Sequence, residues 1–258
     1  MTISPAPVLP FSEHRVGTGP TLVFLHYWGG STRTWGPVID LLPGRDTLSI
    51  DFRGWSRSRD LPGPYTLHQL ADDTVAVIEE AQVRDHVLVG HSMGGKVAQL
   101  VASNRPAWLR GIVLVAPGPA QPAAAVTPAH RADLSHAYDS DETVIAARDR
   151  VLTASALSDE HKARVLEDSR AGADAARVEW PLRGIAEDIT DRTRLVDVPA
   201  LVIAGEHDQV EPAAVLRSNL VPFLTTVEME VLPHTGHLLP LETPAALAGA
   251  IERFVDAC

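Results

Sequence analysis

Cysteine is almost missing from this chain: Cys258, the last of 258 residues, is the only one. No intramolecular disulfide can form, and a frayed terminus is a poor place for a catalytic thiol. Paired-cysteine metal motifs go with it. The 11 histidines include no His-Glu-x-x-His, so neither a metal nor any other cofactor is expected. Long apolar runs are lacking too, since no stretch approaches the roughly 20 residues a membrane helix needs. Met1 to Pro10 has no basic residue and no long apolar run. No signal peptide is expected there, and a cytoplasmic location is the default reading. Basic residues are in deficit, 22 against 33 acidic, for a net charge of −11. That balance argues against nucleic acid or an anionic membrane as a partner. It says little about substrate, because an apolar pocket can lie beneath an acidic surface. Oligomeric state is left open.

Core-forming residues are plentiful. Hydrophobic residues make up 45% of the chain, enough for one sizeable α/β domain with an inserted subdomain. Short apolar runs alternate with amphipathic stretches. Thr21–His26, Asp46–Asp51, Val87–Gly90, Gly111–Ala116, Val198–Ala204 and Thr225–Leu232 read as buried strands. A weaker antiparallel strand is expected around Phe11–Val16. Helices are expected through Trp35, Val38, Ile39 and Leu42; after Thr66-x-x-Gln69, a capping box; after Glu211-Pro212; and from Thr243, as N-cap, with Pro244 at the first helical position. From Pro117 to about Leu195 the strand rhythm stops. That stretch holds helical segments at 142–152 and 161–168 and an interruption at Trp180-Pro181. The fold class is therefore α/β: a mostly parallel, doubly wound sheet of residues 1–116 and 196–258, with a helical insertion at 117–195.

In such sheets ligands bind at the carboxyl ends of the strands. One of those ends reads Gly90-His91-Ser92-Met93-Gly94-Gly95-Lys96-Val97. Small-x-Ser-x-small between a strand and a helix is the setting of a nucleophile elbow. A β-carbon at Gly90 or Gly94 would crowd the backbones that pass there, while Met93 N–H stays free at the helix start. Gly90-x4-Gly95-Lys96 also approaches a phosphate-binding P-loop, but Val97 stands where that motif needs Ser or Thr to hold magnesium. A serine hydroxyl needs an imidazole to take its proton and an acid to orient the imidazole. Later strand ends supply both: Gly205-Glu206-His207-Asp208-Gln209 and Pro233-His234-Thr235-Gly236-His237.

Gly-His-Ser-Met-Gly-Gly, Asp51-x-Arg53-Gly54, Gly205-x-x-Asp208 and Gly236-His237, in that order, resemble the α/β-hydrolase superfamily over nearly the whole chain. The likeness is greatest to the small capped serine esterases and cofactor-independent haloperoxidase-like enzymes. It implies a catalytic triad of Ser92, Asp208 and His237, preferring Asp208 to Glu206 and His237 to His234. It implies that the 117–195 insertion, after the sixth strand, is a lid, and that His26 and Arg53 pin loops. His91 is expected to be a satisfied core histidine. The oxyanion hole would use the backbone N–H groups of Trp28 and Met93. The chain departs from the family at Tyr27, which replaces a glycine of the oxyanion loop; a tyrosine there restricts the loop and adds bulk. Tyr27, Trp55 and Trp180 are candidate pocket residues. The function implied is hydrolysis of a small, fairly apolar carboxylic ester or lactone. Perhydrolysis or C–C bond hydrolysis on the same triad are alternatives, and a binding receptor is a more distant one. Dehalogenases and epoxide hydrolases carry an aspartate at the Ser92 position.

Overall fold

The computed structural model describes residues 8–82 and 85–258; most of the Met1–Pro10 reading lies outside them. Seven strands form one sheet: β1 (Ser12–Arg15), β2 (Thr18–Leu25), β3 (Arg45–Ile50), β4 (His86–His91), β5 (Leu109–Val115), β6 (Ala200–Gly205) and β7 (Val227–Leu232). Their spatial order is β1-β3-β2-β4-β5-β6-β7, and only β1 runs antiparallel. The order reverses around β2 and β4, so the carboxyl end of β4 lies where a doubly wound sheet opens its crevice.

The helices are α1 (Gly36–Ile39), α2 (Leu67–Glu80), α3 (Met93–Ser103), α4 (Pro128–Leu134), α5 (Asp141–Ala147), α6 (Asp159–Arg170), α7 (Asp174–Leu182), α8 (Thr190–Thr193), α9 (Ala213–Asn219), α10 (Leu239–Glu242) and α11 (Pro244–Ala257). Strand side chains alternate between two apolar layers, as period-2 geometry requires. Val23, Leu25, Leu88, Ile112 and Leu114 pack with Leu70, Val97 and Val101 of α2 and α3. Leu22, Phe24, Val87, Val89, Val113 and Val115 pack on the other face with Val38, Leu247, Ile251 and Val255 of α1 and α11. Covering both faces explains why the strands are apolar throughout rather than alternating.

Several local expectations change. The helical stretch α4–α8 follows β5, the fifth described strand, not a sixth; among the described residues β1 alone precedes β2. Thr66 caps α2 by accepting from Gln69 N–H at 3.2 Å. The reciprocal half of the capping box is missing, because the Gln69 amide instead donates to Asp73. Thr243 precedes α11 without a side-chain cap; its hydroxyl pairs with that of Thr235 at 3.3 Å. Pro181 sits in the last turn of α7 rather than breaking it. The Arg177 carbonyl, which the missing N–H would have met one turn back, accepts instead from the Trp28 indole at 2.9 Å. The first helix is reduced to a 3₁₀ turn at Thr32–Trp35 and the single turn of α1.

Candidate active site

β4 ends in a turn so tight that Ser92 takes φ 53° and ψ −114°, a conformation that costs a non-glycine residue about 1–3 kcal/mol. The surrounding hydrogen bonds hold it there. Ser92 N–H donates to Val115, while its carbonyl accepts from Gly95, Lys96 and Gly118. The flanking glycines are obligatory for the reason read from the sequence. A β-carbon on Gly90 would stand 2.4 Å from the Gly94 carbonyl oxygen, and one on Gly94 2.4 Å from that of Leu25.

Around this turn the structure assembles side chains from the ends of β6 and β7. Ser92 Oγ lies 3.0 Å from His237 Nε2, and His237 Nδ1 lies 2.8 Å from Asp208 Oδ2. An ionised Asp208 can only accept, so Nδ1 carries the ring proton of neutral His237 and Nε2 is left to accept from the serine. The other carboxylate oxygen, Oδ1, accepts from Val210 and Glu211 N–H at 2.8 and 3.0 Å. Burial, the strongest influence, pushes the Asp208 pKa up. His237 and the two N–H donors outweigh it, and the carboxyl is held below its ordinary range. His237 is fixed from both sides: its N–H donates to Leu152 of the helical insertion, and its carbonyl lies 2.8 Å from His91 Nε2. The one donor at that contact is a protonated Nε2. Burial, then the neighbouring His237, drives the His91 pKa well below its usual value, so His91 acts as a neutral positioning group. It is satisfied at one nitrogen only, since Nδ1 has no partner among the described residues.

A cavity of about 300 Å³ opens above Ser92 and His237. Tyr27, Trp28, Leu134, Tyr138, Leu152, Trp180 and Ile185 supply most of its apolar wall, and exposed His130 and Asp133 of α4 also line it. Most of the lining residues thus come from the segment between β5 and β6.

The loop after β2 is locked through Trp28. Its indole donates to the Arg177 carbonyl at 2.9 Å, and its carbonyl accepts from Tyr138 hydroxyl at 3.0 Å. The two rings stack at 4.0 Å. Met93 is the first residue of α3, so its N–H has no acceptor within the helix.

A sequence model of the alpha/beta hydrolase family matches residues 22–250, most of the chain. The chain belongs to this family. It is 28% identical over 262 residues to a pimeloyl-[acyl-carrier protein] methyl ester esterase of Aeromonas hydrophila subsp. hydrophila, covering 95% of this chain and 98% of that one. It is 27% identical over 246 residues to a 2-succinyl-6-hydroxy-2,4-cyclohexadiene-1-carboxylate synthase of Enterobacter sp. (strain 638), with 92% of each covered. Among solved structures, a bromoperoxidase from Bacillus anthracis superposes with a TM-score of 0.86 at 17% identity, covering 95% of this chain and 94% of that one. The last likeness concerns the fold alone.

In this α/β-hydrolase the sequence candidates separate by position. Ser92, Asp208 and His237 come together, while Glu206 and His234 lie exposed on the outer side of the same loops, paired with each other. With His207 they gather ligating atoms within 4.8 Å of one another, outside the cavity and in contact with solvent. Tyr27 and Trp180 line the cavity. Trp55 does not; it is buried behind Met93 and Trp180, beside His26 and Gly172, in a separate small cleft. A tryptophan on a strand-end loop carries no signal for which side of its neighbour it will take. Tyr27 does not need the glycine conformation, since it is absent from the residues with positive φ. Its ring packs on His91 at 5.2 Å and its phenol lies beside Ser169.

His26 and Arg53 hold loops. His26 Nδ1 bonds the Tyr27 carbonyl while Nε2 accepts from Phe52 N–H, and Arg53 forks onto both oxygens of Asp73. Lys96, the P-loop-like lysine, is buried and donates to the Gly184 and Glu187 carbonyls. It ties α3 to the helical insertion. Sequence reasoning missed Tyr138, whose loop has no motif, and Leu152, which acts through its backbone. It also passed over Glu211 as a helix opener.

Proposed function

We propose that this α/β-hydrolase is a serine hydrolase of a small, fairly apolar carboxylic ester or lactone, acting through an acyl-enzyme on Ser92. The observation that carries the reading is the hydrogen-bonded chain Ser92–His237–Asp208 beneath a largely apolar cavity. His237 Nε2 takes the Ser92 proton as Oγ attacks the carbonyl. Trp28 and Met93 N–H hold the oxyanion, a form of stabilisation in which one donor is commonly worth about 3 kcal/mol. His237⁺, stabilised by Asp208, then protonates the departing alkoxide. Water, activated by the same imidazole, releases the acid and regenerates Ser92.

Residues 117–195 serve as a lid, since they supply much of the cavity wall. The methyl ester esterase among the relatives supports an ester, and the unlike reactions named for other relatives show how little the shared fold fixes the substrate. Ser92→Ala tested on a short p-nitrophenyl ester should lose activity by a factor on the order of 10⁴ or more. Full activity in that variant would refute the mechanism.

A further inference from the structure

One group in the cavity has no part in the triad chemistry. Glu211 follows the acid loop, and its backbone N–H serves Asp208. Its side chain is 4% exposed and lines the cavity beside Val210, Trp180 and Ile185. The carboxyl makes no hydrogen bond or ion pair among the described residues. Lys96, whose charge reaches it, spends its hydrogen bonds on the Gly184 and Glu187 carbonyls. An unpartnered carboxyl is costly in such a place. Sequence logic would fill that wall with an aliphatic residue.

Two features set its ionisation. Burial, then the negative charge of Asp208, pushes the Glu211 pKa well above the ordinary carboxyl range. A second anion so near Asp208 would also weaken the contrast that keeps Asp208 ionised. Burial and the neighbouring Asp208 thus favour, in the empty cavity, the protonated form of Glu211, which has one O–H to donate and a carbonyl oxygen to accept.

We propose that Glu211 is a specificity-determining residue. It binds an uncharged hydrogen-bonding group, a hydroxyl or amide, carried by the substrate at a distance from the scissile carbonyl. The proposal deepens the hydrolase reading and rests on it for the word substrate, but the subsite itself is a matter of binding. The preferred ligand is then an apolar ester with one polar function, not a plain alkyl ester. The alkyl ester leaves the carboxyl stripped of water and unpaired, and a site built around a polar group rejects analogues that lack it.

Binding to Ser92→Ala protein separates this proposal from turnover. The probes are a short alkyl ester, its isomers hydroxylated at successive carbons of the acyl and alcohol chains, and the matching ammonium compounds. Affinity is read by calorimetry. At least one hydroxy isomer should bind about tenfold more tightly than the alkyl parent. The preference should persist in Ser92→Ala/Glu211→Gln, which keeps a donor and an acceptor, and vanish in Ser92→Ala/Glu211→Leu. A thermal melt no lower than that of Ser92→Ala shows that the leucine variant is folded.

Equal binding of all neutral esters, or no binding of any, would overturn the proposal. So would a preference confined to the ammonium compounds and abolished by Glu211→Gln, which would mark a cation site. Hydrolysis of the same esters by the native protein reports separately on the triad: turnover without a Glu211-dependent preference sinks only the subsite. A Glu211-dependent preference without turnover sinks only the hydrolase.

Discussion

Tyr138→Phe removes a single oxygen atom and tests how the proposed oxyanion loop is held. The hydroxyl donates to the Trp28 carbonyl at 3.0 Å, while the ring stacks on the Trp28 indole at 4.0 Å. Phenylalanine keeps the stack and deletes the bond. The Trp28 carbonyl is then left buried without its partner, which costs about 1–3 kcal/mol of stability. The Trp28 N–H lies in the preceding peptide plane, whose Tyr27 carbonyl stays held by His26 and Gly30, so it is displaced through the shared Cα rather than set free. Complete loss of an oxyanion donor is worth about 3 kcal/mol in the transition state. Partial misalignment by about 1 kcal/mol lowers kcat roughly fivefold. KM should move less, since the donor acts on charge that develops only in the transition state. Steady-state kinetics on a p-nitrophenyl ester, with a denaturant melt alongside, read both effects. If stability falls as stated but kcat is unchanged, the Trp28 N–H is not an oxyanion donor. If neither moves, the hydrogen bond itself contributes nothing.

Four further outcomes follow from the same geometry. Asp208→Asn should lower kcat by about 10⁴ with little change in KM, since an amide can hold His237 in the wrong tautomer; a loss under tenfold would remove Asp208 from the triad. His26 and His91 are buried with pKa values lowered, mainly by burial, so they stay neutral in the fold while the unfolded chain protonates below about pH 6.5. Native stability is thus greatest above that pH and falls as pH drops, by up to about 1.4 kcal/mol per unit for each histidine; urea melts at pH 7 and pH 5 should show the fall, and a flat profile would contradict it. Glu211 acts in the opposite sense, because its raised pKa favours the neutral form in the fold: Glu211→Gln should gain more stability at pH 7 than at pH 4, as differential melts will show. Gly94→Ala should yield little folded protein, because its β-carbon would meet the Leu25 carbonyl oxygen at 2.4 Å; an active, normally melting variant would refute the close-crossing account of the elbow.

The parts of the site that were legible in advance are those set by local sequence and chain order. Gly90, Ser92 and Gly94 announce a turn whose sterics can be worked out without coordinates. Asp208 and His237 sit at the ends of later strands, and a parallel sheet brings such ends together. What escaped depends on how the helical insertion lies on the sheet. Tyr138 bonds across 110 residues to Trp28, and Leu152 reaches His237 through a backbone carbonyl; neither contact has a side-chain signature. Trp55 and Trp180 read alike in sequence, yet only Trp180 faces the cavity, because Trp55 lies behind it. Glu211 before Pro212 fits the opening of a helix so well that its burial gave no warning. Gln69 fits half of a capping box by its spacing, but tertiary context directs it to Asp73, the partner of Arg53.

The central claim is that Ser92 becomes covalently acylated with His237 as its base. Intact-mass analysis of protein quenched in acid during turnover of a p-nitrophenyl ester tests it directly. The account predicts one added acyl group per chain, mapped by peptide digestion to Ser92, and none in Ser92→Ala. Acylation at another residue, or turnover of the ester by Ser92→Ala at the native rate, would contradict it.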